Sequence, residues 1–240
     1  MLSHNPLRNI IFWVMVLLLS LGWFSFYSTG NGAPPENPGF PVETLTDSAS
    51  FNLKKGDILV RPNWSWLPGS IPVNGERKLG HVAIVTEDLS GKTPDEVLSK
   101  TQVIEALFYD HAARKFLFRK EEQIRESKAI VAFGNRYKGS RYRLRAKLTN
   151  QQTEDLIRFL RNQVDGGYNI LSFKKPFAST VENQKNLQNL RQDWHCATLT
   201  WEAYHLATGL DIDSNQGWLI YPSDIIASKS FDSPGGRLRF

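Results

Sequence analysis

The sequence predicts an α+β domain in which an antiparallel sheet packs against the helix that carries the chain's one cysteine, preceded by an N-terminal membrane helix. Three observations predict it. Short β-branched runs bounded by Gly and Pro come first, helical periodicity appears only after residue 148, and the chain opens with an uncharged apolar run from Ile10 to Tyr27. The 240 residues are 41% hydrophobic and 22% charged, enough for one sizeable core and too ordinary for disorder, collagen or a pure coiled coil. A net charge of +5 permits anionic partners but lacks the excess of a dedicated nucleic-acid binder. One cysteine, Cys196, excludes an internal disulfide and a multi-cysteine zinc site. It is a buried small hydrophobe, a chance residue or a nucleophile.

In chain order, residues 9–35 carry no charge, and Ile10 to Tyr27 is broken only by Ser20, Gly22 and Ser25. Eighteen residues at about 1.5 Å each span roughly 27 Å, near the hydrocarbon thickness of a bilayer and longer than the apolar region of a cleaved signal peptide. A signal-anchor over 1–27 is therefore expected. Arg8 precedes the run and Glu36, Glu43 and Asp47 follow it, so the positive-inside rule keeps the N-terminus cytoplasmic and sends the rest across. Cys196 is too distant to be a lipid-modified anchor. Residues 28–50, with four Pro and three Gly, read as a linker, and the folded domain is expected over 51–240.

Gly56–Val60, His81–Val85 and Val103–Phe108 read as strands. Arg141–Leu148 alternates strictly, placing Arg141, Arg143, Arg145 and Lys147 on one face, read as wet and basic, and Tyr142, Leu144, Ala146 and Leu148 on the other. Thr149–Val164 has helical spacing, a Thr149/Gln152 capping-box pattern and Gly166-Gly167 as its stop. Trp194–Thr208 is the second helix, with Asp193 as N-cap and Gly209 as stop. Cys196 then falls in the first turn, where backbone N–H groups and the helix dipole favour a thiolate.

A cysteine nucleophile needs a base, and the base an orienting group. Of five histidines, His4 lies before the apolar run. His205 is about 13 Å along the helix from Cys196, and His195 points about 100° off the cysteine's face, so both read as surface or packing residues. His111 reads as a loop residue. His81 opens an apolar strand after Gly80 and is either a satisfied core or edge histidine or a cleft residue. Glu105 is likewise either a solvated strand position or a carboxylate held against a partner. If their strands are neighbours, a His81–Glu105 contact is easy.

GDIL (56–59), a Trp/Pro-rich loop, GHVAIV (80–85), VIEA (103–106), Gly167-Tyr168-Asn169, WHCATLTWEAY (194–204) and YPSDIIASKSF (221–231) resemble, in that order, the circularly permuted papain-like hydrolases of the YiiX/YaeF type, relatives of the NlpC cell-wall peptidases. The resemblance covers nearly all of 51–231. It implies a circularly permuted papain-like, NlpC-type fold with Cys196 as nucleophile, His81 as base and Glu105 as orienting acid. The chain departs from the pattern at Trp194-His195, where a Tyr-rich pair is expected, at Ala197, where Ser is common, and at Asn169, where Asp is expected.

The expected activity is a membrane-tethered, extracytoplasmic cysteine amidase or peptidase-like hydrolase, on the periplasmic side of the inner membrane in a Gram-negative envelope. It would cleave an amide or ester of a peptide, peptidoglycan or lipoprotein, with no cofactor, no metal and no nucleic-acid partner. A lipid-directed acyl hydrolase or acyltransferase, and a non-catalytic envelope binding module, are the alternatives. Trp64 and Trp66, in the long 61–80 connection, together with Tyr168 and Trp194, are candidate substrate-binding residues. Residues 114–147 hold twelve Lys+Arg and three Asp+Glu, a local +9 that suits anionic phospholipid or an acidic substrate and equally suits a solvated sheet face.

Overall fold

β-Branched and apolar runs too short for helices pair into a seven-stranded sheet, ordered β1-β11-β10-β3-β4-β6-β9. The computed structural model describes residues 6–28, 40–46, 49–62, 79–110, 112–134, 140–170, 172–174, 191–214, 217 and 219–240. The strands are β1 (Glu43–Thr44), β3 (Ile58–Pro62), β4 (Leu79–Val85), β6 (Gln102–Ala106), β9 (Ile124–Lys128), β10 (Tyr142–Leu144) and β11 (Arg237–Arg239). Every pairing in this sheet is antiparallel except β1 with β11. Two small sheets add β2 (Phe51–Leu53) with β5 (Leu89–Gly91), and β7 (Tyr109–Asp110) with β8 (Lys115–Phe116). The mixed α+β class is as the sequence predicts. The folded part starts earlier than Phe51: residues 40–46, within the stretch read as linker, supply β1 and pack Phe40 and Val42 against the core.

Alternation divides the sheet's side chains between two cores. Ile58, Val60, Val82, Ile84, Ile104 and Ala106 meet helices α4 (Asn150–Gln163), α5 (Cys196–Thr208) and α6 (Pro222–Ile226). Leu59, Ala83, Val85 and Val103 meet α2 (Pro94–Lys100) and α3 (Ala129–Phe133) on the other face.

The predicted capping box closes α4: Thr149 Oγ1 accepts from Gln152 N and Gln152 Oε1 accepts from Thr149 N. Gly166-Gly167 is not its stop. The helix ends at Gln163, and Gly167 instead passes so close to Asp193 that a Cβ there would lie 2.4 Å from Oδ1. Gly209, at φ 72°, ends α5 as expected. The expected wet face of 141–148 is corrected in part: Arg143 is buried and Arg141 and Arg145 are half-buried and bonded inward, while Lys147 is exposed. Arg143 donates to Asn52 and to the Gly235 carbonyl, Arg145 clasps buried Asp57 at 2.6 and 2.7 Å, and Arg141 donates to the Phe133 carbonyl.

α1 (Pro6–Ser28) forms over the apolar run, with Ile10, Trp13, Leu17 and Leu19 exposed. Among the described residues no helix is long and apolar enough to cross a membrane. The side chains at 22–28, which the expected span to Tyr27 requires, lie outside the described ones.

Candidate active site

The antiparallel register of β4 and β6 sets Ala83 opposite Glu105, so His81 is Glu105's diagonal neighbour on the same face. Both are buried, and His81 Nε2 lies 2.9 Å from Glu105 Oε2. The second oxygen, Oε1, accepts from Ser127 Oγ at 2.8 Å and from the Arg125 guanidinium at 3.4 Å. Burial pushes the Glu105 carboxyl up. The His81 hydrogen bond and charge, the Arg125 charge and the Ser127 hydroxyl outweigh burial and hold it below the usual carboxylate value. An ionised Glu105 takes the Nε2 proton as its hydrogen bond, leaving Nδ1 as the nitrogen with a lone pair. Phe133 stacks on the ring at 5.7 Å between centroids. Arg125 also donates to Asp110 at 2.8 Å, extending the chain of charge to the β7–β8 hairpin. Sequence reasoning missed Arg125, Ser127 and Phe133: their β9 and α3 positions become relevant only through strand pairing.

Cys196 opens α5 and is buried. The N-cap is His195, not Asp193: His195 Nδ1 accepts from Ala197 N at 3.3 Å, while Asp193 accepts from Gly167 N and pairs with Lys120. The Cys196 sulfur lies 3.9 Å and 4.0 Å from the His195 ring nitrogens. Burial pulls His195 down to about 4, so at neutral pH its ring is uncharged and the Nδ1 lone pair is occupied by the cap. It is a wall beside the sulfur, not a ready base. Burial, and then the nearby Cys196 charge, raise the Tyr168 phenol well above its ordinary value.

The thiol and the imidazole share one end of the sheet. Tyr204 Oη donates to the Gly56 carbonyl, and Gly56 N donates to Val85 O, fixing the later part of α5 at the Val85 end of β4. At the start of α5, the His195 ring lies 5.7 Å from Tyr168, whose ring lies 6.0 Å from Phe108 just beyond β6, the strand end that faces His81. Tyr168 N donates to Gln123 Oε1 beside Leu107, at the same end. They differ in face. His81 and Glu105 project with Ala83 and Val85 toward α3, whereas Cys196 packs with Val82 and Ile84, and no hydrogen bond joins its sulfur to His81. Two of the three expected catalytic residues are thus joined directly, and the third lies at the same end across the sheet.

Of the candidate substrate residues, Tyr168 is half-buried, 5.7 Å from the His195 ring and 6.0 Å from Phe108. Trp194 is a core residue: it is buried, its Nε1 donates to Gln163 Oε1 at 2.9 Å, and its ring meets Phe159 edge-on. Trp64, Trp66 and most of the 61–80 connection lie outside the described residues, as do His4 and His111. His205 packs flat on Trp201, as a packing residue should. Among the described residues no group of three or more His, Cys, Asp or Glu is placed to hold a metal ion.

The structure is similar to the crystal structure of metalloprotein yiiX from Escherichia coli O157:H7, DUF1105, with a TM-score of 0.44 and 14% identity over 78% of this chain and 96% of that one. No protein-family model and no curated protein sequence matches the chain.

Proposed function

We propose that the chain is a cysteine hydrolase of the permuted papain-like, NlpC-related type. The observation that carries this reading is the buried His81–Glu105 pair, which leaves Nδ1 uncommitted at the sheet end where a helix start presents Cys196. His81 Nδ1 takes the thiol proton and the sulfur attacks the carbonyl carbon of an amide or ester. The Cys196 N–H, at the helix start, donates to the developing oxyanion. His81 returns the proton to the departing amine or alcohol as its bond to the carbonyl carbon breaks, and water resolves the thioester. Glu105 fixes the ring and stabilises its cation. Because His81 faces the α3 side of the sheet and Cys196 the other, the mechanism requires the sheet end to rearrange on substrate binding so that the thiol reaches Nδ1.

The proposed setting is extracytoplasmic, tethered through the apolar N-terminal run, with an envelope peptide, peptidoglycan or lipoprotein as substrate. A lipid ester is the second reading, favoured by the aromatic residues that lead from Tyr168 and Phe108 to the surface. With fluorogenic amide and ester substrates, Cys196→Ala should abolish turnover and labelling by an electrophilic thiol probe, and His81→Ala should lower turnover about 10²–10⁴-fold. Turnover retained in Cys196→Ala overturns the assignment. A wild-type protein that neither turns over nor labels is the non-catalytic binding module instead.

A further inference from the structure

We propose that the β7–β8 hairpin and the segment after it, Phe108–Asp110 with residues 112–120, form a docking face for an anionic lipid bilayer. This face is independent of the apolar N-terminal run and of the hydrolase reading.

Soluble domains bury aromatic rings, yet here Phe118 is 82% exposed, Phe108 41% and Phe116 40%. The rings form a continuous row, with Phe118 to Phe116 at 6.0 Å, Phe116 to Phe108 at 5.3 Å and Phe108 to Tyr168 at 6.0 Å. Four cations sit among them. Residues 112–120 contain Arg114, Lys115, Arg119 and Lys120 and no carboxylate. Lys115 and Lys120 pair with Glu122 and Asp193, while Arg114 and Arg119 form no ion pair among the described residues. Exposed aromatics interleaved with cations match the two layers of a bilayer surface, apolar acyl boundary and anionic headgroups. Each Lys or Arg held at such a surface strengthens binding about fivefold.

The hairpin is shaped before it meets a membrane. Asp110 Oδ1 accepts from the backbone N–H of Ala112 and Ala113, and its other oxygen is clamped by Arg125. Leu117 is buried beneath the row and its N–H donates to the Phe108 carbonyl. Little ordering remains to oppose docking. The inner end of the row, Tyr168, lies against His195, the wall of the Cys196 site, so docking would set the thiol beside the membrane surface.

The test uses the full chain reconstituted in nanodiscs of phosphatidylcholine alone or with one-third phosphatidylglycerol, read by amide hydrogen exchange over 112–118. Exchange there should slow about tenfold in the anionic discs, with the slowing lost in 0.5 M salt and in Arg114→Glu/Arg119→Glu and Phe118→Ser variants. All three positions are exposed, so unchanged unfolding midpoints are expected and would certify folded variants. Equal exchange in the two discs, or slowing that survives all three substitutions, overturns the docking face. Turnover plays no part in this readout, so failure here leaves the hydrolase reading standing, and the converse holds.

Discussion

Arg143 and Arg145, in and just after β10, and the cations of the β7–β8 hairpin segment belong to the same basic stretch of sequence but behave as opposites. Arg143 is buried with Arg145 beside it, and burial first, then that like charge, weakens its hold on its proton. Arg145 is spent on Asp57, whose carboxyl burial raises in spite of its partner. Charge averaged over residues 114–147 would count these groups as available to a ligand; they are internal fasteners between β2, β10 and the turn at Gly235. The hairpin segment, with four cations, displays them beside exposed rings. Local net charge therefore says little about surface potential until each group's partner is known.

Three substitutions sharpen this contrast. Arg145→Leu should lower unfolding free energy by about 3 kcal/mol in urea titrations, because it strands the Asp57 carboxylate in the core. A loss below about 1 kcal/mol would break the distinction between the regions. His195, at the inner end of the aromatic row, comes next. Its folded value of about 4 lies below the ordinary 6.5, so the unfolded chain binds its proton first as pH falls. Stability present above pH 6.5 should be lost between 6.5 and about 4, by about 2 kcal/mol once the ring's partial exposure is allowed for. Glu105, held below its ordinary 4.5, adds its own loss only under that value. His195→Asn, which keeps an N-cap oxygen, should flatten the 6.5-to-4 window and leave the lower one. The smallest effect belongs to the hairpin: Phe118→Ser should change unfolding free energy by under about 0.5 kcal/mol while removing the exchange protection on anionic discs.

Much of the scaffold was legible in local chemistry. Thr149 with Gln152, and Gly209 after the last helical residue, mark ends whose hydrogen bonds are made by neighbours in sequence. The His81–Glu105 contact was legible as a condition, since it follows once β4 and β6 pair. What sequence withheld depends on partners far along the chain. Period-two alternation separates His81 and Ala83 from Val82 and Ile84, but which face receives the cysteine helix is set by packing. Likewise Arg143 and Arg145 alternate as a solvated face would, and only Asn52, Asp57 and Gly235 turn that face inward. At α5, Asp193 is the stronger capping residue by type, yet Gly167 and Lys120 claim its carboxylate and His195 caps instead.

The position of β11 bears on how the protein is made. It lies between β1 and β10, and buried Arg237 reaches the Ile226, Ser228 and Pro41 carbonyls and the Asp232 carboxylate. Residues 43–44 therefore have no strand to pair with until residues 238–239 have emerged. Contacts that wait on such distant residues slow closure of the sheet, so this edge is left unpaired until the late strand arrives.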